Sequence, residues 1–291
     1  MASLDDLRKR IVSVKSTQKI TKAMKMVAAA KLRKAQESAE RGRPYSEKMQ
    51  NIILNITGSI SDPSNAPKLL VGTGKEQTHL CVVMTSDRGL CGGFNTNICR
   101  LAKNYFLKVL KEGKTLKIIT IGSKGHDQLK REYGKYIIQK LSFKDIKKIS
   151  FNEANDVGKI IINLFDKSEF DKCLLFYNNF KNVMTQIPQA QQIIPAEKKE
   201  NLKKKDEVFY EFEPDEDEIL EDLLPKNIST QVFKAFLENS ASEQGSRMTA
   251  MDSATRNAGD LVKSLTIVYN RSRQAAITKE LIEIISGAES L

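Results

Sequence analysis

The sequence predicts a mixed α/β protein in which the N- and C-terminal segments form a long antiparallel two-helix coiled coil around an inserted Rossmann-like α/β domain. Two observations predict this fold class. Apolar or small side chains recur at alternating spacings of three and four residues at both ends of the chain, and strand-like and helix-like segments alternate between them. The same periodicity also fits two helices folded across a single globular core.

The N-terminal segment predicts one helix over roughly residues 3 to 58. The three-four spacing begins at Leu4 and continues beyond Pro44 to the turn-rich stretch SDPSNAPK. Gly42 and Pro44 are expected to weaken or kink this helix. The apolar seam also has a polar interruption, at Gln18, Thr21 and Lys25.

The C-terminal segment predicts a second helix over about residues 220 to 286. Its seam is rich in Ala, Ser, Thr and Gly, which lets two helix backbones approach closely. Helices of this length would each measure on the order of 80 to 100 Å, so they must pair or protrude. The last turns are amphipathic and end near Gly287, a residue type that commonly follows a helix, which predicts that something packs against Ile277, Leu281, Ile284 and Ile285.

Between the helices, segments such as HLCVVMTSD, LKIITIGS and KCLLFYNNF alternate with helical stretches, which is typical of a parallel sheet that ends near QIIPA. The predicted organisation has four parts. They are an N-terminal coiled-coil helix (1–60), a central α/β domain (75–196), a charged linker with an acidic and aromatic segment (197–219), and a C-terminal coiled-coil helix (220–291).

Charge is segregated along the chain. The net charge is +11, yet Arg8 to Lys34 holds ten basic and no acidic residues, whereas Asp206 to Asp222 holds ten acidic and no basic ones. Two surfaces of opposite sign imply at least two different neighbours. The chain shows neither an apolar run of 18 residues nor a signal peptide, which predicts a protein of the cytosolic side. Its four cysteines form no CxxC pair and are expected to be reduced structural thiols.

The motifs that suggest catalysis or cofactor binding are incomplete. VGTGKE resembles the end of a P-loop, but Glu76 stands where a Ser or Thr is required, and SDRGLCGGFN lacks the GxGxxG spacing. His79 and His126 have no hydrolase or zinc motif beside them and are interpreted as surface or packing residues. The sequence therefore predicts no catalytic, cofactor-binding or metal-binding residues, and SDRGLCGGFN is interpreted as a structural turn with possible contact to a neighbour.

Several segments resemble the gamma subunit of F-type ATP synthases. LRKRIVSVKSTQKITKAMKMVAAAKLRKAQ is similar to the N-terminal helix of that family, and ITKELIEIISGAES resembles its C-terminal segment. TSDRGLCGGFN and NSASEQGSRMTAMDSATRNA are also similar to family segments. The resemblance covers essentially the whole chain, with several motifs in the family's order.

The resemblance implies a central stalk, the rotor shaft that couples proton-driven rotation of the c-ring to ATP synthesis or hydrolysis in the beta subunits. The shaft would be non-catalytic and present in one copy per complex, without a cofactor. Its partners would be the alpha and beta subunits of the catalytic hexamer, the epsilon subunit and the c-ring. A hydrophobic sleeve in the hexamer would enclose the last turns of the C-terminal helix.

The resemblance also implies contacts with the beta subunits. NRSRQAAITKE is similar to the family stretch that engages a loop of beta, which assigns that role to Arg273 and Gln274. Met24 and Lys25 match the zone of the N-terminal helix that faces an acidic segment of beta. A guanidinium and an amide suit the recognition of carboxylates and backbone groups.

A third implied contact lies in FYEFEPDEDE, where Tyr210, Phe212 and Glu213 would touch the epsilon subunit and the c-ring. The sequence departs from the family pattern here, because Glu211 separates the two aromatic residues and the acidic run is longer.

The chain begins at the family's first helix, and its central domain lacks the cysteine pair of chloroplast members. We therefore expect no thiol regulation and a bacterial rather than a processed mitochondrial protein, at the cytoplasmic face of the inner membrane and held there only through the complex. Two rival hypotheses stay open on the residues alone. The basic run suggests a nucleic-acid-binding coiled coil, and the α/β domain suggests a nucleotide-dependent enzyme. The resemblance favours the stalk, without nucleic acid as a partner.

Overall fold

The computed structural model describes residues 3–59, 67–146, 149–196 and 216–289. It confirms the predicted fold class, with long terminal helices and a central sheet that is mostly parallel. In chain order the elements are α1 (Leu4–Ser59), α2 (Lys68–Val71), β1 (Thr78–Met84), α3 (Phe94–Lys111), β2 (Thr115–Ile121), α4 (Ser123–Tyr133), a short 3₁₀ turn (Gly134–Tyr136), β3 (Ile137–Leu141), α5 (Phe151–Asp166), β4 (Lys172–Phe180), β5 (Gln186–Ile194) and α6 (Glu216–Glu289).

Helix α1 starts at a side-chain cap and continues across the residues expected to weaken it. The Asp6 amide donates to Ser3 Oγ at 3.1 Å, and Asp5 and Asp6 place negative charge in the first turn, where the helix dipole favours it. Gly42 and Pro44 both lie inside the helix. A Cβ atom on Gly42 would lie 2.9 Å from Leu237 Cδ1, so glycine permits a close approach of α1 to α6 at this point.

Helix α6 is longer than the sequence predicts. It begins at Glu216 rather than near residue 220, contains Pro225, and passes through Gly287 to Glu289. The expected helix end at Gly287 is therefore not observed. A single residue type predicts the end of a helix poorly, because the apolar seam fixes only the helix interior.

The sheet has the strand order β3-β2-β1-β4-β5. The first four strands in this order are parallel, as predicted, but β5 runs antiparallel to β4. Only five residues separate Phe180 from Gln186, which suffices for a hairpin and is too short for the crossover that a parallel strand requires. The sequence pattern did not predict this edge strand, because QIPQAQQII is mostly polar.

Each face of the sheet is covered by helices. On one face Leu80, Val82 and Met84 of β1 pack with α5 and with the Ile228–Phe236 part of α6. On the other face Cys81 and Val83 pack with α3 and α4. Helix α5 begins with a capping box, in which the Ser150 amide donates to Glu153 Oε2 at 2.7 Å and the Asn152 amide donates to Ser150 Oγ at 3.3 Å.

The chain divides into two compact units, Met1–Ala30 with Arg247–Leu291, and Lys31–Ser246. We call the first the helix-pair unit and the second the sheet unit. In the helix-pair unit α1 and α6 are antiparallel, because contacts join residues 18 and 259, 21 and 255, and 25 and 252. The predicted division into four parts stays a prediction.

Candidate functional site

In an open sheet of this order, the expected ligand position is the carboxyl end of β1 and β4, where the connections leave in opposite directions. Ser86 follows β1 at this edge and is 1 % exposed. The Ser86 amide donates to Asn95 Oδ1 at 3.0 Å, and Asn95 Nδ2 donates to Ser86 Oγ at 2.8 Å. Asn95 belongs to the first turn of α3, so one side chain at the helix end that would face a phosphate is bonded to the end of β1.

The SDRGLCGGFN loop is fixed on its other side by α6. Cys91 is buried, its sulfur lies 3.2 Å from Asn95 Nδ2, and Ser246 Oγ donates to the Cys91 carbonyl at 2.6 Å. Leu90, the residue before Cys91, has a positive φ of 62° and an apolar side chain that is 64 % exposed. The loop is therefore a tight turn, as interpreted from the sequence, and it presents Leu90 outward.

Asp87 joins this loop to the two neighbouring strand ends. Its carboxylate accepts hydrogen bonds from the Ser123 amide and hydroxyl at 2.9 Å, from Ser142 Oγ at 2.8 Å and from the Phe143 amide at 3.2 Å. Burial alone would raise the pKa of Asp87, but the hydrogen bonds from Ser142, Ser123 and Phe143 outweigh burial and hold the pKa below its ordinary value. The carboxylate is thus saturated by the chain's own donors.

The other candidate loop, VGTGKE, lies at the amino ends of the strands. Thr73 Oγ1 donates to Asp171 Oδ1 at 2.6 Å, and the amides of Gln77 and Thr78 donate to Asp171 Oδ2 at 3.0 and 2.9 Å. Because ligands bind at the carboxyl ends in such sheets, this loop is on the wrong edge for the P-loop role that its letters suggest.

The four cysteines are all buried, and each is a free thiol. Burial raises the pKa of Cys81 and Cys173 and raises that of Cys99 to about 11. Neutral, enclosed thiols are poor nucleophiles. Within the described ranges no three or more His, Cys, Asp or Glu side chains are grouped so that they could hold a metal ion.

The predicted beta-contact residues fall into two zones of the helix-pair unit. Met24 and Lys25 are half-buried, and Lys25 Nζ lies 2.6 Å from Asp252 Oδ1. Arg273 and Gln274 are exposed on α6, 21 and 22 residues beyond Asp252. At about 1.5 Å per residue, the two zones are about 30 Å apart along the helix.

Tyr210, Phe212 and Glu213, the predicted epsilon and c-ring contacts, lie outside the residues that the structure describes. The apolar side chains near the end of α6 are described and are strongly exposed. Ile277 is 49 % exposed and Ile284 is 67 % exposed, with Leu281, Ile282 and Ile285 between these values. An apolar row of this kind marks an interaction surface.

Several polar contacts between α1 and α6 were not foreseen from the sequence. In the sheet unit Arg43 forms an ion pair with Glu238, and in the helix-pair unit Thr255 Oγ1 lies 2.8 Å from Thr21 Oγ1. For the second, the polar interruption of the seam was a visible signal, although it did not name the partners. For the first, no local pattern exists, because its members are 195 residues apart.

These features define a class of protein, an α/β scaffold whose Rossmann-like edge is occupied by its own side chains and whose long terminal helices expose apolar rows. The comparisons with known proteins name the family. A family model described as ATP synthase matches residues 3–291. The chain is 72 % identical over 291 residues to the ATP synthase gamma chain of Pelagibacter ubique and 55 % identical over 294 residues to that of Rhizobium etli, with full coverage of both chains in each case.

Solved structures agree at the level of the fold. A chain of the central stalk and c-ring of the Tetrahymena thermophila mitochondrial ATP synthase is 28 % identical with a TM-score of 0.60, over 81 % of this chain and 99 % of that one. A chain of the Euglena gracilis mitochondrial ATP synthase rotor is 19 % identical with a TM-score of 0.66, over 94 % and 98 %. The chain belongs to the ATP synthase gamma-chain family, as the sequence resemblance indicated. None of the helices described is both long enough and apolar enough to cross a membrane.

Proposed function

We propose that this chain is the rotor shaft of an F-type ATP synthase, turned by the c-ring during proton flow and non-catalytic itself. The observation that carries the proposal is family membership over residues 3–291 together with exposed apolar rows on the terminal helices. A single chain with two unequal helices presents a different surface at each angle. It can therefore bias three identical beta-subunit sites toward different nucleotide affinities in turn.

The end of α6 supports a position inside a protein sleeve. Ile277, Leu281 and Ile284 are spaced by four and three residues, so they lie on one face of the helix. Leaving such a row in water is unfavourable by about 25 cal/mol for each Å² of apolar surface, which a hydrophobic lining would recover. We propose the alpha and beta subunits of the catalytic hexamer as that lining.

The beta-subunit contacts are proposed on two zones. Arg273 and Gln274 are exposed and free of the helix seam, so their polar groups can engage a loop of beta. Met24 and Lys25 lie in the basic run, beside the exposed Lys22. Because Lys25 is already paired with Asp252, it would act on an acidic segment of beta as part of a cationic surface and not as a free charge.

The membrane-side contacts are proposed on the segment that contains Tyr210, Phe212 and Glu213, which would meet the epsilon subunit and the c-ring. The four-part division of the chain belongs to the same proposal, with the α/β domain on the rotor side. The related Tetrahymena chain belongs to a central stalk with a c-ring, and the related Euglena chain belongs to a rotor. We propose that this chain, in one copy, sits peripherally at the cytoplasmic face of a bacterial inner membrane and is held there only through the complex.

The occupied sheet edge supports the non-catalytic part of the proposal. Ser86, Asn95 and Asp87 use their hydrogen-bonding groups on one another and on neighbouring loops, so these three side chains are already engaged within the chain itself. A nucleotide there would have to displace these bonds.

Purification of the tagged chain from its native membrane tests the proposal. We expect the alpha, beta, epsilon and c subunits in fixed proportions, and binding that survives salt. Recovery with nucleic acid in their place, released steeply as salt rises, would support the rival coiled-coil hypothesis.

A double substitution tests the beta contact within that complex. Arg273→Ala with Gln274→Ala removes about 1.5 to 3 kcal/mol per charge-assisted bond without touching the seam, so turnover should fall while the helix content stays constant. Lys263→Ala, which removes an exposed charge paired with Asp260 on the same helix and lies outside the NRSRQAAITKE stretch, is the control. Synthesis and hydrolysis at the unmutated rate in the double variant would refute this contact and leave the shaft proposal standing.

A further inference from the structure

Strand β4 extends beyond its parallel neighbour. The last residue pair between β1 and β4 joins Val83 to Phe176, whereas β4 continues to Phe180. On its other side β4 pairs with β5 along this whole stretch. Backbone groups of alternate residues point to the same edge of a strand. Beyond Phe176, the backbone groups on the edge that faces β1 therefore have no partner in β1.

Side chains from two helices take the place of the missing strand. The Asn178 amide donates to Asn239 Oδ1 at 3.2 Å, and the Asn178 carbonyl accepts from Ser242 Oγ at 3.1 Å. Two residues on, the Phe180 amide donates to Glu238 Oε2 at 3.0 Å, and the Phe180 carbonyl accepts from Arg43 Nη2 at 3.1 Å. Both amides and both carbonyls of these alternate residues are thereby satisfied.

Arg43 and Glu238 also bind each other. Arg43 Nε donates to Glu238 Oε1 at 2.7 Å and Nη2 donates to Oε2 at 3.1 Å, a two-pronged contact. The Glu238 side chain is 3 % exposed and that of Arg43 is 37 % exposed. One guanidinium on α1 therefore holds both a carboxylate on α6 and the end of β4.

Close packing surrounds these bonds. Gly42 lets Leu237 approach α1, and a Cβ atom on Gly245 would lie 3.3 Å from the Phe180 ring. Apolar contacts resist separation but are not directional, whereas hydrogen bonds weaken steeply when their angles change. Rotating α6 against α1 or against the sheet would misalign several bonds together.

We propose that Arg43, Glu238, Asn239 and Ser242 form a torsional clamp that fixes α1 and α6 to the end of β4, so that twist applied to the α/β domain passes into the helices. The clamp deepens the proposed rotor function and rests on it. Its members act by positioning and touch no substrate.

Hydrogen exchange on the purified complex tests whether the clamp forms. In Glu238→Ala the Phe180 amide should exchange at least about tenfold faster, and in Asn239→Ala the Asn178 amide should do the same. Glu169→Ala, which breaks a partly exposed ion pair with Lys117 elsewhere in the sheet unit, is the matched control and should leave both amides unchanged. Unchanged exchange in both clamp variants overturns the clamp.

The coupling ratio in membrane vesicles tests the transmission of torque. In Arg43→Met the number of protons pumped per ATP hydrolysed should fall at least about twofold, while ATP hydrolysis by the detached catalytic complex stays near the unmutated rate. Arg43→Lys keeps the positive charge but loses the two-pronged guanidinium contact, so it should give an intermediate ratio of protons pumped per ATP hydrolysed. If Arg43→Met does not assemble, Arg43→Lys decides the question.

Each result separates the inference from the function on which it rests. Faster exchange together with a lowered ratio supports the clamp and its role in torque. Faster exchange with an unchanged ratio overturns the role in torque. If the unmutated chain is not recovered with ATP synthase subunits, the rotor function itself fails, whatever the amides show.

Discussion

The two units of this chain are held together in different ways. The sheet unit has side chains with no exposure at all on both faces of its sheet, such as Val82 and Phe176. In the part of the chain that the structure describes, the helix-pair unit buries only a thin seam, in which Ala28 is 1 % exposed and Leu7, Thr21, Met251, Ala258 and Leu265 keep 5 to 9 % exposure. Among the described residues it also exposes twelve large apolar side chains, namely Val12, Ile20, Met26, Val27, Leu261, Ile267, Val268, Ile277, Leu281, Ile282, Ile284 and Ile285.

The sheet unit thus completes its own core, whereas the helix-pair unit exposes apolar surface of the kind that marks an interaction site. The polar interruption of the seam fits this picture. Thr21 meets Thr255 and Lys25 meets Asp252, and Gly259 leaves room for Gln18, whose Nε2 would lie 2.9 Å from a Cβ atom there. Polar contacts at single seam positions fix the register of a helix pair at some cost in stability.

The largest expected effect is a core truncation in the sheet unit. Phe176→Ala removes a fully buried ring that packs against Tyr105 and Phe106, and should cost about 3–5 kcal/mol. Leu265→Ala in the helix pair should cost about 2 kcal/mol, because that seam is thin and water can reach the space left. Denaturant unfolding followed by residue-resolved amide exchange measures both, and equal losses would contradict the comparison.

A smaller loss of unfolding free energy is expected when the ion pair of Arg43 with Glu238 is broken. Glu238→Ala leaves Arg43 Nε and the Phe180 amide without the carboxylate that accepts from them, which should cost about 3 kcal/mol, the low end for a buried pair because Arg43 is partly exposed and keeps its bond to the Phe180 carbonyl. The same unfolding measurement applies. Glu169→Ala is the control, and a loss no greater than in that variant would show that burial adds nothing at Glu238.

Periodicity predicted the elements of both units because helix and strand spacing are local properties of the chain. Periodicity did not reveal β5, because its glutamines and Pro188 carry no apolar alternation. It also could not pair Arg43 with Glu238, since a contact between residues 195 positions apart is decided by the fold. The incomplete glycine motif SDRGLCGGFN, by contrast, correctly indicated a turn, because the spacing of phosphate loops is itself local.

The outcome differs for the contact residues that the family resemblance implies. Arg273 and Gln274 are exposed, which the contact requires, but a single chain holds no information on what touches them. Lys25 was predicted as a contact without its partner Asp252, because a charge run reveals its sign and not its pairing. Tyr210, Phe212 and Glu213 remain predictions.

Acid should weaken the sheet unit through His79. Burial, followed by the nearby Lys114, lowers the pKa of His79, whose Nδ1 lies 2.8 Å from Tyr105 Oη; Lys172 acts in the same sense, whereas Glu76 opposes it. The unfolded chain therefore binds the proton more readily than the folded chain. The contribution of His79 to stability is present above the unfolded value of about 6.5 and is lost as the pH falls from there through the lowered folded pKa.

His79→Gln keeps an acceptor for Tyr105 and cannot titrate, so it should flatten the dependence of unfolding free energy on pH between about 5 and 7. The chain has only two histidines, and His126→Gln is the control. His126 is partly exposed, and its pKa is also lowered by burial, so this variant should change the slope less. An identical pH profile in His79→Gln and the unmutated chain would refute the assignment.

The smallest effect is expected at the ion pair of Lys25 with Asp252, which is more exposed than the pair of Arg43 with Glu238. Asp252 and Lys25 are 34 % and 43 % exposed, so water and salt screen their attraction. Asp252→Asn should cost less than Glu238→Ala and should lose even this cost at high salt, whereas the loss in Glu238→Ala should persist because the Phe180 amide stays buried without an acceptor. Unfolding at low and high salt distinguishes the two. If Asp252→Asn instead costs as much as Glu238→Ala and resists salt, the polar contacts of the helix pair hold its two helices together as firmly as the apolar seam does, and the contrast between the units is wrong.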